Sequence, residues 1–233
     1  LKVGQEQHPK VIEQFGGVYA DPKVTAYVNR VGQELAQVSE LPHLKFTFTV
    51  LDDDIVNAFA LPGGPMFVNR GMFDAAASEA EVVGVMAHEL SHVLLRHGTA
   101  NMTKAQNPWL QLGQLAGVVG GAVVGGTAGT LISEGTQFGF GTLLLRYSRE
   151  YEKQADLVGA QIMARAGYDP GAMAGFLRKL RAHSRLEMQR RGEDPDSIDQ
   201  FNYLATHPAP AARVVRAEGL AAKENVRNPR IGR

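Results

Sequence analysis

After Asp21-Pro22, an N-cap followed by proline at the first helical position, Val24, Tyr27, Val28, Val31, Leu35 and Val38 recur on one helical face. Residues 1–40 therefore read as helices, ended by Leu41-Pro42. The period then changes from about 3.6 to two. Residues 44–50 (LKFTFTV) alternate apolar and polar with aromatic and β-branched side chains, which predicts a strand, and Asp52-Asp53-Asp54 marks a turn. Residues 57–60 and 65–69 read as two more short strands, joined by the turn residues Leu61-Pro62-Gly63-Gly64. Ser78 and Glu81 form an S-x-x-E capping box ahead of a strongly apolar helix over about 79–97, with Gly98 suited to its stop. Further helices are expected over 143–166, from Asp169-Pro170 to about 188, and over about 209–223. Residues 189–200 are polar and turn-rich, and so predict a loop. No internal repeat or second domain appears. The pattern predicts one domain over 1–233, mainly α with a small β-sheet (α+β).

One segment breaks the pattern. Residues 105–133 form 29 positions without a charge, with seven glycines between Gly113 and Gly129. That is long enough to span a bilayer. Glycine weakens helices in water, so a close-packed or flexible helical pair within a soluble fold is expected. Peripheral membrane contact through 105–133 stands as the alternative, because small residues favour close helix packing in lipid.

Composition narrows the chemistry. A chain of 233 residues buries about 70–75% of its unfolded surface, so it needs no disulfide or structural metal to fold. A metal here would be functional. The 24 basic and 24 acidic side chains cancel without a basic stripe, which argues against nucleic acid as a partner. The absence of cysteine excludes disulfides, thiolate-bound zinc, iron–sulfur clusters and thiol nucleophiles. The chain starts at Leu1 rather than Met, as expected of a protein whose signal or anchor has been removed. No oligomeric state is read from the sequence.

The chemical signal is His88-Glu89-Leu90-Ser91-His92, an H-E-x-x-H motif on the capped apolar helix. Residues four apart lie about 40° apart around a helix and one turn along it, so His88 and His92 can bind one ion. Glu89, about 100° from His88, can reach a metal-bound water without ligating the metal. Catalytic zinc takes three protein ligands and keeps a position for water, and without cysteine the third must be His, Asp or Glu. The downstream helix offers Glu152 and Asp156, an i, i+4 acidic pair. Glu152 suits the ligand, and Asp156 suits a carboxylate accepting the other N–H of His88 or His92, which would fix the imidazole tautomer. Glu150 lies about 200° around the helix from Glu152 and should point elsewhere. The metzincin pattern fails, since Leu95 and Gly98 occupy its Gly and third His positions. His97 is then expected to be a helix C-terminal histidine set against the dipole. His8, His43 and His183 belong to no constellation and are expected to be solvated.

HELSH, the downstream SREYEKQAD, the upstream NAFALPGGPMFVNRGMF and the late THPAPAAR occur in one order. As a set they resemble the HtpX/BepA-like zinc metallopeptidases, relatives of the CAAX prenyl proteases, over roughly residues 20–220. The resemblance implies a zincin-like fold and a gluzincin-type site. One Zn2+ per chain would be held by His88, His92 and Glu152, with Glu89 as catalyst. It also implies that the strand of Asn57, Ala58, Phe59 and Ala60 lies beside the cleft and pairs with extended substrate. His207 would approach the metal or the substrate carbonyl, with Arg213 near the substrate. HtpX-like members carry transmembrane helices and BepA-like members a helical-repeat region. This chain is most similar to small periplasmic or lipoprotein-type members.

Together these readings predict a zinc metalloendopeptidase acting on extended or unfolded polypeptide in the bacterial periplasm or cell envelope, in protein quality control. Glu89 would be the general base on zinc-bound water. The alternative is a zinc-bearing, chaperone-like binding protein whose protease activity is latent because His207 plugs the open metal position.

Overall fold

The structure is a computed structural model that describes residues 2–105, 147–192, 194, 207, 211–224 and 226–232. Nearly all of the uncharged 105–133 segment lies outside these residues. Among the described residues no helix is long and apolar enough to cross a membrane.

Two helices open the chain, α1 (Lys2–Gln14) and α2 (Pro22–Gln37). The Asp21 carboxylate caps α2 by accepting from the Lys23 and Val24 amides at 2.8 and 3.3 Å. Three strands follow: β1 (Thr47–Leu51), β2 (Ala58–Ala60) and β3 (Pro65–Asn69). Their spatial order is β1-β3-β2, with β1 parallel and β2 antiparallel to β3. The hairpin between β2 and β3 turns at Gly63 and Gly64, both with positive φ. A Cβ on Gly64 would stand 2.4 Å from the Lys45 carbonyl oxygen, so only glycine fits there. After α3 (Gly71–Ala75) come α4 (Glu79–Leu94) and α5 (His97–Ala105), then α6 (Arg149–Arg165), α7 (Gly171–Arg191) and α8 (Ala211–Glu224), numbered in order among the described residues.

The central element is α4. Thirteen consecutive residues, Ala80 to His92, are buried, the signature of a helix enclosed on all sides. Ser78 caps it through the Glu81 amide, and the Glu81 carboxylate returns to the Ala77 amide at 2.7 Å. The helix packs against α6, α7, α2 and β2. It approaches α6 tightly at Gly159, where a Cβ would sit 3.3 Å from the His88 Cα. Small residues there bring the acidic face of α6 down onto the HELSH turn.

Several boundaries differ from expectation. The H-E-x-x-H helix ends at Leu94, not near 97, because Arg96 takes a left-handed conformation (φ 58°) and reverses the chain. The α6 helix starts at Arg149, not near 143, because the Ser148 hydroxyl accepts from the Tyr151 amide and caps it. Residues 189–191 extend α7, which stops at left-handed Gly192. His8 is half-buried rather than solvated. It bonds to Thr49 Oγ1 at 3.0 Å and packs on Phe67. Otherwise the fold is the expected mainly helical, zincin-like α+β arrangement.

Candidate metal centre

Four side chains converge where α4 meets α6. One ligand atom from each of His88, His92, Glu152 and His207 lies within 4.8 Å of the other three, and all four residues are buried. The two histidines of α4 present their Nε2 atoms 3.0 Å apart. Glu152 reaches both, Oε2 lying 3.4 Å from His88 Nε2 and Oε1 lying 3.3 Å from His92 Nε2. Two atoms bound at about 2.0–2.1 Å on a tetrahedral ion stand about 3.3–3.4 Å apart, so this donor set fits zinc in both chemistry and spacing. His207 completes the group. Its Nδ1 lies 3.1 Å from Glu152 Oε1 and its Nε2 lies 3.2 Å from Glu89 Oε1.

An outer layer holds these groups. His88 Nδ1 lies 3.1 Å from Asp156 Oδ1, which leaves His88 Nε2 to face the cluster. Asp156 is fixed in turn by Arg213, which donates from Nε at 2.9 Å and Nη2 at 2.8 Å. The Arg213 guanidinium also pairs with Glu152 Oε2 at 2.6 Å and donates to the His207 carbonyl at 3.3 Å. Such paired, hydrogen-bonded charges are what burial at this depth requires.

The electrostatics follow from that layer. Burial works against a charge on Glu152, but neighbouring His207, Arg213 and His88 outweigh it and hold the carboxyl well below its ordinary range. The same contest, won by Arg213 and His88, brings Asp156 down to about 2. Burial also opposes a charge on His88, yet Glu152 and the bond to Asp156 raise its imidazole to about 9. At His92 burial prevails, helped by His88 and His207, and the imidazole falls well below its ordinary value. The site thus keeps two anionic carboxylates beside its imidazoles, and a divalent ion binding there would displace the proton that His88 holds.

The model of Peptidase family M48 matches residues 22–221. The chain belongs to peptidase family M48. It is 32% identical over 228 residues to the beta-barrel assembly-enhancing protease of Escherichia coli (strain K12), covering 95% of this chain and 45% of that protein. The mitochondrial metalloendopeptidase OMA1 of Schizosaccharomyces pombe is 28% identical over 221 residues, covering 93% and 59%. OMA1 of Arabidopsis thaliana is 32% identical over 174 residues, covering 75% and 31%. The chain spans about half the length of these relatives, or less.

In this M48 chain the expected residues occupy three kinds of place. His88, His92, Glu152, Glu89, Asp156 and His207 meet in one buried cluster. Arg213, expected near substrate, lies behind the ligands with 1% of its surface exposed. It organises Asp156 and the His207 backbone instead, because a helix in α8 carries it under the site. Residues 58–60 form an edge strand of the sheet among the described residues, with Asn57 just ahead of it. The Phe59 ring turns away from the cleft and stacks on Phe67, 5.1 Å between centroids. Any use of this strand for substrate therefore falls to its backbone.

Two further residues at the site carried no signal in sequence. Tyr147, just before α6, stacks on His92 with centroids 3.8 Å apart. His97, expected at the end of the motif helix, instead opens α5, is buried, and bonds to His92. A cavity of about 460 Å³ adjoins His92 and Tyr147, and Ala60, Leu61, Val93 and Arg96 contribute to its walls.

Proposed function

We propose that this M48 chain is a zinc-dependent endopeptidase that hydrolyses extended or unfolded polypeptides. The observation that carries this reading is the buried convergence of His88, His92 and Glu152, with Glu89 adjoining them through His207. Zinc in such a site supplies Lewis acidity and a bound water acidified to a pKa of about 7. Glu89 takes the proton of the attacking water and hands it to the leaving amine. Its enclosure beside Tyr147 and His207 keeps bulk water from that exchange.

Substrate enters by strand addition. The Asn69 amide donates to the Asn57 carbonyl and the Leu61 amide to the Pro65 carbonyl, so residues 57, 59 and 61 face β3. Alternation in the ladder directs the backbone groups of Ala58 and Ala60 to the side of the strand away from β3, where no described strand pairs with them. An extended chain bound there is read by its backbone, and conformation counts for more than sequence. That selectivity suits protein quality control. Because one relative is named for β-barrel assembly, we place the activity in the bacterial periplasm or cell envelope. The 105–133 segment is the candidate for peripheral membrane contact.

His207 supports a second, compatible reading. It stands between the general base and the third ligand, in contact with both carboxylates. A side chain there occupies the open position and holds Glu89, so the resting chain binds polypeptide without cutting it. The test is the rate at which the zinc-loaded chain cuts an unfolded polypeptide, with and without His207→Ala. A plug closed nine-tenths of the time predicts a rise of about tenfold on its removal. A fall in rate would make His207 a donor to the oxyanion instead.

A further inference from the structure

The two histidines of α4 are backed differently. His88 has the carboxylate of Asp156, neutralised by Arg213. Among the described residues, the partner behind His92 is not an acid but His97. His92 Nδ1 lies 2.9 Å from Nδ1 of His97, and His97 Nε2 lies 3.0 Å from Gln154 Oε1. The three groups form a line from the metal cluster to the surface of α6.

A lone pair on His92 Nε2, which a metal ligand needs, requires one proton arrangement along that line, the one in which Gln154 turns its oxygen to His97. Gln154 Oε1 is an acceptor only, so His97 Nε2 carries the proton. A neutral imidazole has one N–H, so His97 Nδ1 is bare and accepts from His92 Nδ1–H. His92 Nε2 is then the lone-pair nitrogen, and it is the atom that faces His88 and Glu152. Reversing any member would turn an N–H toward the metal. Metal-bound histidines ordinarily use a carboxylate, a carbonyl or water for this purpose. Here a second imidazole does it.

The fold goes to some length to place that imidazole. On a continuous helix His97, five residues beyond His92, would point about 140° away from it. The left-handed Arg96 breaks α4 and swings His97 back beneath the motif. Non-glycine residues adopt that conformation infrequently and at a cost. The His97 ring is then clamped flat against Tyr151, centroids 4.2 Å apart and planes 8° from parallel. Tyr151 and Gln154 sit on the same helix as the ligand Glu152. The backing of His92 and the third ligand are thus set by one element.

We propose that His97 is a positioning residue for the metal centre: supported by Gln154 and Tyr151, it accepts the Nδ1–H of His92 and so commits His92 Nε2 to the metal. The proposal rests on the zinc-peptidase reading of the site. Its effect is on metal affinity, which is measurable without any cleavage.

The experiment is zinc binding alone, by competition with a chromophoric chelator, for the unmodified chain, His97→Leu and His97→Asn. The leucine removes the acceptor, and the asparagine returns an amide oxygen close to the place of Nδ1. His97→Leu should weaken zinc binding by about 10–100-fold, the usual cost of losing an outer partner, and His97→Asn should recover most of it. Leucine binding as tightly as histidine, or asparagine binding as weakly as leucine, would overturn the proposal. An unmodified chain that takes no zinc would instead overturn the peptidase reading. Imidazole nitrogen shifts of the unmodified, zinc-free chain supply a check that needs no variant to fold. They should show His97 protonated on Nε2 and His92 on Nδ1. The opposite tautomer at His97 would contradict the assignment.

Discussion

Glu89→Gln should leave zinc bound and slow peptide cleavage by about 10²–10⁴-fold, the range a positioned general base contributes. Glu89 is buried beside the ligand group and not in it. Its Oε1 faces His207 Nε2 at 3.2 Å, while the atoms placed to hold an ion with His207 beside them come from His88, His92 and Glu152. Glutamine keeps the size and an acceptor oxygen but cannot take up a proton at neutral pH. Metal content and steady-state cleavage, measured on the same zinc-loaded sample, separate the two roles. Equal loss of both would make Glu89 a ligand.

Glu152→Ala should have the larger effect on the metal, beyond the about 10–100-fold that loss of an outer partner costs. Glu152 touches both α4 histidines, His207 and Arg213, so its removal opens one side of the centre. The fold should survive, because Asp156 still holds Arg213 through two bonds and leaves no unpaired buried charge. Glu150→Ala is the matched control. Glu150 is exposed and pairs with Lys153 at 3.3 Å, away from the cluster, so zinc affinity should not change. Isothermal titration of the zinc-free variants checks both. A larger loss at Glu150 than at Glu152 would move the third ligand.

Much of this site was legible before any coordinates. The HELSH helix could be placed because Ser78 and Glu81 mark its start and apolar residues fill every face, features that local chemistry writes directly into sequence. The i, i+4 spacing put Glu152 and Asp156 on one helix face, and in the structure both carboxylates contact His88. What was not legible depends on backbone choices with no residue signature. Nothing in Leu95-Arg96-His97 announces a left-handed arginine, while Gly98 imitates a helix stop. In the structure Gly98 lies inside α5, where a Cβ would meet Pro62 and Tyr147. His97 was therefore assigned to the wrong helix, and its bond to His92 was hidden.

Arg213 was misplaced for a related reason. The resemblance set it near substrate, whereas the packing of α8 on α6 delivers it to Asp156 and Glu152 behind the site. The ranking of the β-strands was also beyond sequence. Alternation located β1 and the turn residues 61–64 located β2 and β3, but neither could show that β3 runs between the other two, which leaves β2 at an edge among the described residues.

The central claim is that a buried His-His-Glu centre makes this M48 chain a zinc-dependent peptidase. The most direct measurement follows cleavage of an unfolded polypeptide through metal removal and return, using the unmodified chain and His207→Ala side by side. The account predicts one zinc per chain, cleavage that stops when a chelator strips the metal, and cleavage restored by one equivalent of zinc. Cleavage that persists without metal would contradict it. So would a chain and a His207→Ala variant that both hold zinc and cut nothing.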